Sequence, residues 1–187
     1  MFYIVYGILY AISLLPLRIL YFISDFACFL LYYVIGYRKQ VVFSNLKQAF
    51  PQKTEKERKR IAKKFYRNFT DNFIEFIKLI SASPAFINKH FYGDYSLFDN
   101  LYEQGKRGQV LFAHNFNWEF ALLAVASKVK QVFLVVYMPI GSEVIDKIFM
   151  KVRSKTGAIM LPATGMRNAL IPYRNESYLL ILVADQN

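Results

Sequence analysis

Cysteine is nearly missing from this chain: Cys28 stands alone among 187 residues. A single thiol excludes an intrachain disulfide and any zinc cluster built on cysteine. Histidine is almost as scarce, and His90 and His114 lie far apart, so no dedicated metal site is expected and no cofactor is implied. Charge is missing from the start of the chain, where residues 1–37 carry only Arg18 and Asp25. That apolar start lacks a basic leading segment and a small-x-small cleavage pattern, so it does not read as a cleavable signal peptide. There is no G-x-S-x-G elbow and no P-loop, which removes the common signatures of serine hydrolases and nucleotide-dependent kinases. Internal repeats and low-complexity segments are absent as well.

What is present begins with a contrast. The chain is 55% hydrophobic with 18 Phe and 14 Tyr, yet its formal charge is +11. Residues 38–67 hold eleven Lys and Arg against Glu55 and Glu57, so this tract alone carries +9. A basic block beside an apolar block favours an anionic membrane as partner over nucleic acid. Each Lys or Arg near an anionic leaflet contributes about 1 kcal/mol, and the positive-inside tendency puts such a tract in the cytoplasm. Nucleic-acid recognition would call for aromatics interleaved with bases on a sheet, or for a recognition helix. The tract reads as an amphipathic helix instead.

Three regions follow. Residues 1–37 read as a membrane anchor. The first fifteen fall short of the roughly 20 apolar residues a span requires, and Pro16 with Arg18 interrupts them. Residues 17–37 are long enough but include Asp25, at a cost of roughly 2.5–3.5 kcal/mol in mid-bilayer. One tilted span and a shallow two-helix hairpin both fit; a buried core helix of a soluble protein is the plain alternative. Residues 38–84 read as a basic amphipathic helical region. Thr54 and Glu57 fit a capping box after Pro51. Ile61, Phe65, Phe69, Phe73 and Phe76 recur at helical steps and predict one apolar face. The stretch 81–84 ends the helix.

Residues 85–187 change period. Apolar runs at 109–113, 132–137, 158–161 and 178–184 alternate with helical stretches near 118–129, 142–155 and 164–174. That alternation predicts an α/β domain with a mainly parallel sheet and crossover helices. Asp185-Gln186-Asn187 follows the last run directly, so the sheet is expected to be incomplete and the domain truncated at its C-terminus.

The chemistry is expected around QVLFAHNFNWEF. A strand runs into His114, a polar turn follows, and a helix begins near Asn117 or Trp118. Five residues on one helix would put His114 and Glu119 about 140° apart; across a strand–turn–helix junction they can meet. A neutral imidazole suits general-base work at cell pH, and a carboxylate on its other nitrogen would fix the tautomer. Glu119 would sit in the first helical turn, where the dipole favours its ionised form. An acceptor that brings its own hydroxyl makes an enzyme nucleophile unnecessary. The bland alternative is one His and one Glu near a strand end by chance. Position favours the functional reading, because His114 and Asp185 both fall at C-terminal ends of predicted parallel strands, where open α/β sheets place their sites. Arg153 could hold a phosphate or a developing oxyanion, although a solvated arginine at a helix end, with Gly157 as the stop, is the commoner reading. Asn115 and Asn117 fit turn and capping positions. Trp118 reads as packing, and His90 is assigned nothing.

These residues resemble the lipid A biosynthesis acyltransferases of the lauroyl/myristoyl type, within the lysophospholipid acyltransferase superfamily. The resemblance runs in order along nearly the whole chain: an apolar N-terminus, Asn45-Leu46, Ala49-Phe50-Pro51, the basic helix with Glu75, and then the block from His114 to Glu119. That block looks like the family's H-x4-D/E motif in its HFGNWE form. Val136-Tyr137 with Pro139, Arg153 with Gly157, and Ala184-Asp185-Gln186 are similar to the later blocks. Phe116-Asn117 departs from the usual Phe-Gly step, which puts the backbone of that turn in question.

The resemblance implies an enzyme of the bacterial inner membrane with its site facing the cytoplasm. It would move a fatty acyl chain from an acyl carrier protein thioester to a hydroxyl of a lipid A-type glycolipid. His114 would be the general base and Glu119 its partner, with Arg153, Asp185 and Asn117 as substrate-binding residues. Family members continue for roughly another hundred residues, so the chain as given could be inactive. An acyltransferase acting on another membrane lipid, and a catalytically dead tethered binding protein, are the alternatives.

Overall fold

Where β-forming runs alternate with amphipathic stretches in the sequence, strand alternates with helix in the fold. A computed structural model describes residues 1–114 and 117–185. By internal contacts the chain divides into two units, Ala11–Lys78 and Met1–Tyr10 with Leu79–Asn187.

The first helix, α1 (Phe2–Ser13), is cut by that division, and Pro16 starts α2 (Leu17–Phe29). A proline at a helix start loses no hydrogen bond, since the first-turn N–H groups have no intrahelical partner. The helix continues with π geometry through Leu30–Ile35 and stops at Gly36, whose φ of 66° suits a residue without a Cβ. Together Leu17–Ile35 makes 19 residues, long and apolar enough to cross a membrane by length and composition. Two further helices complete the unit, α3 (Lys39–Ala49) and most of α4 (Glu55–Ser81). The expected capping box starts α4: Thr54 N donates to Glu57 Oε2 at 2.8 Å, and Glu57 N donates to Thr54 Oγ1 at 3.3 Å.

The apolar face expected on α4 is rotated in the structure. Of the expected face, Phe76 is buried, Ile61 and Phe69 are half-buried and Phe65 and Phe73 are exposed, while Ala62, Tyr66, Thr70 and Ile74 are buried. The reason is a polar ladder to α2, running antiparallel. Tyr21 Oη donates to Glu75 at 2.6 Å, Ser24 Oγ donates to Asp71 at 2.6 Å, and Arg67 Nε meets Asp25 at 3.2 Å. Hydrogen-bonding needs, rather than the phenylalanine periodicity, decide which side of α4 turns inward. Tyr32 and Tyr66 pack edge to face beyond the ladder, 5.2 Å between centroids.

The second unit holds α5 (Pro84–His90), α6 (Ser96–Glu103), β1 (Gly108–Phe112), α7 (Trp118–Ala126), β2 (Val132–Tyr137), α8 (Glu143–Arg153), β3 (Ile159–Pro162), α9 (Met166–Leu170) and β4 (Tyr178–Val183). The strands pair in the order β1-β4-β2-β3, and every pairing is parallel, as the alternation predicts. The two inner strands read as unbroken apolar runs because both their faces are covered. Leu134, Val135, Leu179 and Ile181 are buried within the sheet, and Leu122, Leu123 and Ile148 are buried on helices of the same unit. Gly108 leaves room for its neighbour across the sheet: a Cβ there would stand 2.8 Å from Leu179 Cδ2, and that methyl would have to shift. After α8 a short turn ends at Gly157, with φ of 95°. Lys155 on that turn donates to the carbonyls of Leu79, Ile80 and Ala82 at 3.0, 3.0 and 2.5 Å.

Candidate active site

The register of the sheet brings the site together. Phe112 on β1 pairs with Val183 on β4, and Ala184 N donates to Phe112 O at 3.1 Å. Two residues further along each chain stand His114 and Asp185, emerging side by side at the C-terminal edge. Asp185 then grips His114 twice. Its Oδ2 accepts from His114 N at 2.9 Å, and its Oδ1 lies 2.7 Å from His114 Nδ1. With Nδ1 donating to a carboxylate, the neutral ring carries its proton there and leaves Nε2 as the basic nitrogen. The two hydrogen bonds from His114 hold the Asp185 carboxyl below the usual carboxylate range. Both side chains remain about one-third exposed, at 37% and 34%, so the pair is open to a reactant.

The sequence reading gave Glu119 the place beside His114; in the structure the hydrogen bonds of its carboxylate run to Arg153. No hydrogen bond joins those two described side chains. Glu119 sits in the first turn of α7, buried, and its carboxylate is engaged by Arg153. Arg153 Nη2 donates to Oε1 at 2.6 Å, and Nε donates to Oε2 at 3.0 Å. The guanidinium forks onto a carboxylate because its planar donors match two oxygens at once. Burial pushes the Glu119 carboxyl up, Arg153 pulls it back, and the nearby His114 ring adds a smaller downward pull. Arg153 is therefore not the solvated helix-end arginine that was the commoner expectation: it is 8% exposed.

Aromatic rings link the two pairs. Trp118 stands edge-on to the His114 ring at 5.8 Å. The Arg153 guanidinium is 4.8 Å from the Trp118 ring centre and 4.8 Å from that of Phe149. Trp118, expected as packing, thus stands against both the imidazole and the guanidinium. Phe149 escaped the sequence reading, although its spacing of four from Arg153 on one helix face was the available signal.

Asn117 is the N-cap of α7, where its Oδ1 accepts from Phe120 N at 3.1 Å. Its φ of −91° is ordinary; aligned on H-x4-E, the family's glycine falls at Phe116 rather than at this residue. Asn115, Phe116 and Gln186, which carry other parts of the expected motifs, lie outside the described residues. His90 packs tilted against Phe86 at 4.2 Å and meets its carbonyl through Nδ1. Among the described residues no group of three or more His, Cys, Asp or Glu side chains could hold a metal ion.

The arrangement can take a proton at an exposed imidazole nitrogen and stabilise the resulting imidazolium with a fixed carboxylate. Just behind it lies a buried Glu–Arg pair. The sequence model of one family, described as bacterial lipid A biosynthesis acyltransferase, matches residues 1–187, the whole chain. A search among curated proteins gives no match.

Proposed function

The chain belongs to the bacterial lipid A biosynthesis acyltransferase family, and from that premise we propose that it transfers a fatty acyl chain from a carrier-protein thioester to a hydroxyl of a lipid A precursor. His114 is the general base. Its Nε2 takes the hydroxyl proton as the acceptor oxygen attacks the thioester carbonyl. The new C–O bond forms, the C–S bond breaks, and the imidazolium returns the proton to the leaving thiolate. No covalent enzyme intermediate is required, because the acceptor supplies the nucleophile.

In this reading Asp185 does the work that the sequence first suggested for Glu119. It orients the ring and stabilises its charged form, as a carboxylate does beside histidine in a hydrolase triad. Glu119 and Arg153 act as a positioning pair that fixes the start of α7 and hence Trp118 against the imidazole. The basic tract of residues 38–67 has two anionic partners in this scheme, the inner-membrane surface and the acidic carrier protein. The one observation that carries the reading is the double hydrogen bond from His114 to Asp185 at an exposed sheet edge.

The test is expression of the intact protein in a bacterium lacking its own late acyltransferase, followed by mass spectrometry of its lipid A. Wild type is expected to add the mass of one acyl chain, and His114→Ala to add none at equal protein level. Equal gains from both would remove His114 from the mechanism. No gain from either would favour a different membrane lipid as acceptor, or a tethered protein without activity.

A further inference from the structure

The apolar helix α2 has two opposite faces of unlike chemistry, and this decides how it can meet a membrane. At about 100° per residue, Tyr21, Ser24, Asp25 and Cys28 fall within an arc of about 100°. Ser24 and Asp25 bond to Asp71 and Arg67 of α4, and Tyr21 bonds to Glu75. Ile19, Phe22, Ile23, Phe26 and Phe29 occupy a separate arc of about 120°. All five are exposed, Phe22 at 76% and Phe26 at 60%. The centres of the two arcs lie about 150° apart.

A transmembrane pose conflicts with the ladder. If α2 crossed the bilayer, the stretch of α4 hydrogen-bonded along it would be drawn to the same depth. Arg67, Asp71 and Glu75 would enter the hydrocarbon together with Asp25, each at roughly 2.5–3.5 kcal/mol near the centre. The Asp25–Arg67 pair is more than half exposed, with side-chain exposures of 52% and 63%. In a spanning pose it would face lipid tails; at a membrane surface it would meet headgroups and water.

We propose that α2 lies in the plane of one leaflet with α4 on its headgroup side, the Ile19–Phe22–Phe26–Phe29 stripe sunk into the acyl boundary and no segment of α2 crossing it. The occupant of the stripe is an anionic lipid surface, and charge complementarity identifies it. Arg38, Lys47, Lys56, Lys59, Arg60, Lys63 and Lys64 are exposed on α3, α4 and the turn before them. Where the apolar stripe ends, Lys63 Nζ stands 5.3 Å from the ring centre of the exposed Tyr33. Tyrosine beside lysine is the pairing that settles at the headgroup level, where one end of the ring is dry and the other wet. This inference concerns attachment alone and is read without turnover, so it stands or falls separately from the acyl-transfer reading.

The experiment uses the intact protein in a Cys28→Ser background, with single spin-labelled cysteines at Ile19, Phe22, Phe26 and Phe29. Vesicles are phosphatidylcholine with phosphatidylglycerol, or phosphatidylcholine alone, and depth is read from relaxation by oxygen and by a water-soluble nickel complex. All four labels are expected at one shallow depth, about 5–10 Å below the headgroups, with binding to the neutral vesicles weaker by about tenfold or more. A depth profile that peaks near Phe26 and falls towards both ends would overturn the in-plane pose. So would labels that stay in water, or equal binding to the two vesicle types.

Discussion

Two acid–base pairs lie close together at one edge of the sheet, and they differ in nearly every respect. Asp185 and His114 are joined through loops that follow neighbouring strands, and each is about one-third exposed. Glu119 and Arg153 are joined between two helices, and each side chain is only 10% exposed. The first pair can exchange protons with a bound reactant. The second is shut away, with its charges cancelled at short range and its cation flanked by two rings. Proximity alone therefore does not tell the two pairs apart; access does. A carboxylate that serves chemistry needs water or substrate at its partner, whereas one that serves architecture needs their exclusion.

That contrast can be broken from either side. The largest effect is expected from Asp185→Asn, which keeps the shape but loses the carboxylate: transfer should slow by about 100- to 10,000-fold while the melting temperature hardly moves. A comparable loss from an unfolded variant would show in circular dichroism and cancel the inference. Next comes Arg153→Met. It strands a buried carboxylate, and a loss of about 3–5 kcal/mol in unfolding free energy is expected. The double variant with Glu119→Gln should recover part of that, since the uncompensated charge is gone. If the double falls as far as the two singles combined, the pair is not coupled and its description here is wrong.

The smallest effect sharpens the comparison through pH. The two His114 bonds hold Asp185 below the ordinary carboxylate value of about 4. A depressed carboxyl binds its proton less readily when folded, so its contribution to stability is present above that ordinary value. The contribution fades only as the pH falls through the lower folded value. The Asp185 carboxyl carbon should accordingly titrate below about 4 in a carbon-13 spectrum. In His114→Ala it should move part of the way back, because the backbone N–H bond survives. No movement would mean the ring is not its partner.

Much of this was legible before any coordinates. The strands begin and end within a residue or so of where the apolar runs do, and the Thr54–Glu57 box marks the start of α4. His114 stands at a strand end because a β-forming run stops there. What the sequence withheld is adjacency. Nothing local says that β4 inserts between β1 and β2, so nothing local says that Asp185 will meet His114 across 71 positions. The nearer acid at Glu119 was the natural candidate, but its hydrogen bonds go to Arg153, 34 residues on, in a buried fork. Asp25 was legible only as a cost to a spanning helix. Its partner Arg67 lies 42 residues away on a helix whose inward face the phenylalanines misreported.

The turn after α8 carries a consequence of its own. Lys155 spends three N–H groups on three main-chain oxygens at the end of α4, two residues beyond the arginine that holds Glu119. An ammonium is a point with three donors, whereas a guanidinium is a flat fork. Arginine at 155 keeps the charge but cannot converge on all three oxygens, so a like-for-like exchange here should lower the melting temperature. One short bend thus acts as a rivet: whatever loosens it lets go of the end of α4 and of the arginine that holds Glu119 in a single event.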